Sequence, residues 1–227
     1  AALLGFRFKK NFDRPFSATS MQQLWQRWHI SLSTWLRDYL YRALRGKRRE
    51  AGWRMHRNVF LTMLLGGLWH GANWTFVAWG SILGAALVAE RVAKGRWRAW
   101  RAAAAGAPAG GERAGGFAGA AAGWFVTFHI FTLAAVFFRS PDIGVAAAYF
   151  ERMFSLAGGG GLFTPVLLLL TAGFVAVQFL PGNAIERTAE RLRDASALSL
   201  GVLLGFGLVL IEYAGPEGVA PFVYFQF

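Results

Sequence analysis

Gly66-Gly67-Leu68-Trp69-His70-Gly71-Ala72-Asn73-Trp74 is the stretch on which the fold turns. It lies inside residues 59–88, a run without a single Asp, Glu, Lys or Arg. An imidazole in such a run is costly to desolvate, and ionisable groups inside a membrane are functional by default. Gly66, Gly67, Gly71 and Asn73 stand around it, where an uninterrupted spanning helix favours leucine. Two readings of His70 are open: a catalytic base held inside the bilayer, or a buried histidine hydrogen-bonded between helices.

The 227 residues are 55% hydrophobic and only 16% charged, against about 25% charged in soluble domains, and the mean hydropathy is +0.36. That balance points to a membrane. The net charge of +12 alone would also suit nucleic acid, but its placement argues otherwise. Eight basic residues lie between Arg37 and Arg57 and six between Arg91 and Arg113, both beside apolar runs. Fourteen of 24 basic residues flanking membrane segments is the positive-inside pattern. Nucleic acid is therefore not expected as a partner, whereas membrane lipid is. The absence of cysteine excludes disulfides, thiolate metal sites and cysteine nucleophiles. The first ten residues end in Lys9-Lys10 without an apolar h-region, which argues against a cleavable signal. The chain opens at Ala1 inside an apolar phrase and reads as a piece of a longer protein.

Residues 1–57 are expected to hold interfacial elements and a basic loop. Asn11-Phe12-Asp13-Arg14-Pro15 cannot continue a helix through proline, and residues 17–20 offer N-caps. Residues 21–44 have an amphipathic period, with Leu24, Trp28, Ser31 and Trp35 on one face. Trp25, Trp28, Trp35, Tyr39 and Tyr41 suit an aromatic belt at headgroup level. Residues 45–57 and 91–116 read as basic, cytoplasmic loops. If both are on one side, residues 58–90 must return without two full crossings, since those need about 40 residues plus a turn. A re-entrant hairpin, or a helix broken at residues 66–73 with His70 lining a cavity, meets that condition. One long tilted helix is the alternative, against the charge rule. Residues 117–138, 162–180 and 197–214 read as further spans. The prediction is an all-α, polytopic transmembrane bundle with interfacial and re-entrant helices.

Two phrases are specific when taken together. One is Arg27-Trp28-His29-Ile30-Ser31-Leu32-Ser33-Thr34-Trp35-Leu36-Arg37-Asp38-Tyr39-Leu40-Tyr41; the other is Arg57-Asn58 followed by residues 67–74. They resemble the signature blocks of the membrane-bound O-acyltransferase (MBOAT) family, in particular its bacterial polysaccharide branch, which includes alginate O-acetylation. Asn11 to Pro15, Val136-Phe137-Phe138-Arg139 and the terminal residues 222–227 are similar too. The resemblance implies the carboxy-terminal part of a many-helix fold around a funnel, in a bacterial inner membrane. It implies acyl transfer, most simply acetyl, from a thioester co-substrate (acetyl-CoA or an acyl carrier protein) to a polysaccharide hydroxyl, with no tightly bound cofactor. Periplasmic acetyltransferase proteins are the implied partners. The family's near-invariant histidine matches His70 and its second signature histidine matches His29. Residues 42–47 are more basic than the family's usual text, and Leu83 stands where relatives often carry histidine.

A sugar hydroxyl is a poor nucleophile until a base takes its proton, and histidine gives such assistance worth about 10²–10⁴-fold. Burial favours the neutral imidazole that a base needs. Asn73 and Trp69 are candidates to orient the ring or stabilise an oxyanion through side-chain donors, with a capping role open for Asn73. His29 lines the same cavity or bonds helix to helix. Arg37 and Asp38, being adjacent, are not expected to face each other on a helix; each pins the helix to a partner, or Arg37 holds a donor phosphate. His56 reads as solvated, and His129 as facing the bundle or cavity. No Gly-x-Ser-x-Gly elbow surrounds Ser31 or Ser33, and no metal site is expected because the histidines lack a carboxylate at ligand spacing. Three rivals remain: D-alanyl transfer to teichoic acid by the same architecture, a haem-binding bundle with two axial histidines, and a transporter with a broken-helix site.

Overall fold

The computed structural model describes residues 9–46, 52–105, 116–155, 165–193 and 195–214. They fall into two units, residues 1–159 and 160–227, and every regular element among the described residues is helical. The first unit holds α1 (Met21–Arg27), α2 (Ile30–Trp35), α3 (Arg42–Arg45), α4 (Gly52–Trp69), α5 (Trp74–Ala105), α6 (Gly116–Arg139) and α7 (Ile143–Ser155). The second holds α8 (Pro165–Val177), α9 (Ala184–Arg193) and α10 (Ala197–Ala214).

α4 and α5 form an antiparallel hairpin whose register is read from its glycines. A Cβ on Gly80 would stand 2.6 Å from the Met63 carbonyl oxygen, and one on Gly67 would collide with the Phe76 carbonyl. Gly84 in turn faces Phe60 and Met63. Small residues let membrane helices approach to backbone contact, where dispersion and packing replace a hydrophobic driving force. At 1.5 Å per residue α4 rises about 27 Å and α5 about 48 Å, beside a hydrocarbon core of about 30 Å. Trp74–Trp100 and Gly116–Arg139 are the two helices long and apolar enough to cross a membrane among the described residues.

The hairpin brings both basic segments to one end, as the charge rule requires, so the single tilted helix is excluded. The expected loops are corrected, however: Gly52 to Arg57 belongs to α4, and residues 91–105 belong to α5. Charge reports the side on which a segment lies, not its conformation, and Ala, Arg and Lys are strong helix formers. Lys94 also pairs with Glu90 one turn back at 2.7 Å. Residues 47–51 and 106–115 lie outside the described residues. The break is shorter than expected too. Gly66 and Gly67 are helical, and the chain turns only at His70–Asn73, where the N–H groups of His70 and Gly71 donate to the carbonyls of Gly67 and Leu68.

Residues 21–44 are not one helix. The Ser20 hydroxyl caps α1 by accepting the Gln23 N–H. The Glu90 carboxylate of α5 accepts the N–H groups of Met21 at 2.6 Å and Gln22 at 3.4 Å. An anion is favoured there by the helix dipole, so α1 is tied to α5. The helix then breaks at Trp28 and His29, and a π-helical stretch, Leu36–Tyr41, separates α2 from α3. The amphipathic period survives these breaks, which is why it reads as continuous. α6 closes the unit: its Phe131 and Ala134 join Met21, Leu24, Val59, Met63, Trp79, Leu83 and Leu87 in the core, and the Trp124 indole donates to the Phe16 carbonyl at 2.7 Å.

In the second unit α10 covers residues 197–214 as expected, but α8 has 13 residues instead of a span over 162–180. After Val177 the N–H groups of Gln178, Phe179 and Leu180 bond three residues back, tightening the chain ahead of Pro181. Residues 162–164, the glycines at 158–161 and the aromatic tail at 220–227 lie outside the described residues.

The crossing predicts that Gly80→Ala lowers the melting temperature of the detergent-solubilised full-length protein, by overpacking worth about 1–3 kcal/mol. Gly95→Ala, where no atom lies within 4 Å of the new methyl, is expected to leave it unchanged or raise it through helix propensity.

Candidate active site

The hairpin turn presents His70 to an aromatic wall. Its ring lies 4.9 Å from Phe138, 5.0 Å from Trp69, 5.3 Å from Trp79 and 6.0 Å from Phe76, centroid to centroid. Three elements contribute to that wall, α4 with Trp69, α5 with Phe76 and Trp79, and α6 with Phe138, so the imidazole is placed by packing on several sides. His70 is half-buried, and its Nδ1 is buried without a hydrogen-bond partner among the described residues. The interhelical hydrogen bond of the bland reading is therefore absent at this nitrogen.

His29 comes to the same region by a different device. It occupies the left-handed region at φ 41°, ψ 58° between α1 and α2, a conformation costing about 1–2 kcal/mol for a residue with a Cβ. Such strain persists only where the surroundings impose it. Asn11 does so: its Oδ1 accepts both the N–H and the hydroxyl of Ser31, and its carbonyl accepts the Ile30 N–H. Asp13 N–H donates to the Arg27 carbonyl on the other side of the break. His29 is half-buried, and its Nδ1 also lacks a partner among the described residues. α6 meets both blocks, with Phe131 4.8 Å from Trp28, the neighbour of His29, and Phe138 4.9 Å from His70 on one helical face.

The other predicted site residues divide. Trp69 stays beside His70 and is 59% exposed. Asn73 is the N-cap of α5: Oδ1 accepts the Thr75 N–H at 3.0 Å, and Nδ2 donates to the Pro141 carbonyl at 2.7 Å. The structure thus gives its amide a capping and tethering role. Arg37 and Asp38 are paired with each other, Nε to Oδ1 at 2.9 Å, which corrects the expectation that neighbours cannot meet. The wide π-helical turn and the long guanidinium arm allow it. Arg42 adds a second contact at 3.3 Å, and the Arg37 hydrogen bond holds the Asp38 carboxyl below its ordinary range. Arg37 is exposed and Asp38 half-buried, and among the described residues their ion pairs stay within residues 37–42. His56 is half-buried on α4 rather than solvated in a loop. His129 is exposed among the described residues, with Nδ1 against the Phe125 carbonyl.

Trp79, Phe138 and Trp25 were not singled out by sequence for this site. Trp25 and Trp28 are half-buried, at 6.2 Å from Trp79 and 4.8 Å from Phe131 respectively, while Trp35 and Tyr39 are exposed as a belt requires. The period separates them: Trp25 follows buried Leu24 and Met21, whereas Trp35 and Tyr39 share the far face.

The comparisons decide the family. A sequence profile of the membrane-bound O-acyltransferase family matches residues 1–107. The chain is 34% identical to a probable alginate O-acetylase of Pseudomonas putida, over 99% of this chain and 47% of that protein. The chain belongs to the membrane-bound O-acyltransferase family. It is also 36% identical to a peptidoglycan O-acetyltransferase of Helicobacter pylori, over 65% of this chain and 25% of that protein. A teichoic acid D-alanyltransferase of Streptococcus thermophilus is 35% identical over 38% of this chain and 22% of that protein. The chain spans about half the length of the first of these relatives. The family's membrane setting agrees with the two apolar helices.

If Asn73 acts as cap and tether, Asn73→Asp keeps the cap and loses the donor, whereas Asn73→Ala loses both. Thermal unfolding is expected to rank wild type above Asp above Ala, with Ala lower by about 1–2 kcal/mol. Equal stability of all three would assign the amide to substrate instead.

Proposed function

We propose that this chain forms part of a multi-pass inner-membrane O-acyltransferase that moves an acyl group, acetyl in the simplest case, to hydroxyls of an exported polysaccharide. The observation that carries the reading is that α6 packs against both signature blocks, Phe138 on His70 and Phe131 on Trp28 beside His29, while each imidazole is half-buried with an unbonded Nδ1 among the described residues. Similarity to an alginate O-acetylase and a peptidoglycan O-acetyltransferase supports a polysaccharide acceptor. D-alanyl transfer to teichoic acid is the weaker reading, because that relative covers only 38% of the chain.

In the proposed reaction the His70 imidazole takes the proton of the acceptor hydroxyl as its oxygen attacks the thioester carbonyl carbon. A C–O bond forms, the C–S bond breaks, and the proton passes to the leaving thiolate. The aromatic wall excludes water, which would compete as acceptor. His29, held by Asn11, positions acceptor or donor beside it. The donor is a thioester, acetyl-CoA or an acyl carrier protein, reaching the site from the basic end of the hairpin. Periplasmic acetyltransferase proteins complete the export-side chemistry, and the polytopic bundle supplies the remaining cavity wall.

Cells lacking the gene and complemented with the full-length protein are expected to regain polysaccharide O-acetyl groups, and His70→Ala cells are expected not to, at equal membrane content. A loss of about 10²-fold or more in rate fits a general base; full restoration by His70→Ala would refute the role. Since the neutral imidazole is the active form, the rate should fall toward acid pH as His70 becomes protonated.

A further inference from the structure

At the end of the hairpin away from His70, a groove runs between α4 and α5. Its walls include His56, Arg57 and Phe60 from one helix and Val88, Val92 and Arg96 from the other, with alanines between. The walls are graded along the axis. Phe60 and Val88 lie toward the hairpin's middle, and Arg96 lies about 12 Å beyond Val88 at 1.5 Å per residue. Among the described residues, no carboxylate lines the groove.

Arg57 is held in place. Its Nε and Nη2 donate to the Asn58 Oδ1 at 3.1 and 2.9 Å, and its guanidinium lies 5.3 Å from the Trp53 ring centroid. Trp53, with stacked Trp97 and Trp100, is exposed at this same end, the placement of aromatic side chains at a headgroup level. Apolar walls call for hydrocarbon, and the basic end calls for an anion. One molecule satisfies both only if it is amphiphilic. Basic pockets between membrane helices have this character toward phospholipid head groups.

We propose that this groove binds an anionic phospholipid, with an acyl chain along Phe60, Ala85 and Val88 and the phosphate at the level of Val92, between Arg57 and Arg96. His56 supplies a further donor to the head group. The site is separate from the His70 chemistry, since 13 residues of α4 and its turn, about 20 Å of helix, lie between Arg57 and His70.

Native mass spectrometry of the detergent-solubilised full-length protein, offered equal phosphatidylglycerol and phosphatidylcholine, tests this. Phosphatidylglycerol should be retained over phosphatidylcholine by about tenfold. The paired change Arg57→Gln with Arg96→Gln should abolish the preference. Ala89→Leu keeps every charge and fills the groove; with an unchanged melting temperature, it should abolish the preference as well. Equal retention of the two lipids by wild type would overturn the proposal. So would a preference that survives Ala89→Leu, which would mark surface attraction without a groove, or displacement of the lipid by millimolar inorganic phosphate, which would mark a free-anion site.

Discussion

Everything in the first unit depends on how closely α4 and α5 approach. Gly67 and Gly80 leave no room for a methyl group between the two backbones, and Gly67 lies less than one turn from His70. A wider crossing would swing the turn, and with it the imidazole, away from Trp79 and Phe138. The same contact lets a short apolar run return on itself, which brings the basic arms to one end and the histidine to the other. Backbone proximity thus sets both the topology and the position of the His70 imidazole.

A second constraint brings His29 to the site. α1 is only seven residues long and would be marginal alone. It is fixed by the Glu90 carboxylate at its start, and the break at its end is held by Asn11. Glu90 is itself paired with Lys94 and only 16% exposed, so the anchor is a rigid one. The outcome is a left-handed histidine supported from both sides of the break. Neither imidazole is placed by a hydrogen bond to its own Nδ1; aromatic rings and backbone geometry place them, and the nitrogens remain available for chemistry.

The place of His70 at the hairpin turn was legible in sequence because glycines and an asparagine interrupt a charge-free apolar run there. The hairpin followed from counting residues against bilayer thickness and from the distribution of Lys and Arg. The helical arms did not, since charge was taken as a loop signal although residues 91–105 are composed of helix formers. The break at His29 was invisible for another reason: it depends on Asn11, twenty residues earlier, and the amphipathic period runs through it undisturbed. Glu90 as a cap, 69 residues from Met21, leaves no local trace either. Arg37 and Asp38 were misplaced because the spacing rule assumed an α-helix where the chain is π-helical.

The central claim is that the signature histidines of two separate sequence blocks form one site. The most direct test places His29→Cys and His70→Cys together in full-length protein free of other cysteines and treats membranes with a short bifunctional maleimide. The chain described here has no cysteine of its own, so the reagent reports on the introduced pair alone. The account predicts an intramolecular cross-link between positions 29 and 70, and none when His56→Cys replaces His29→Cys. Full single labelling of both positions without a cross-link would separate the histidines and contradict it.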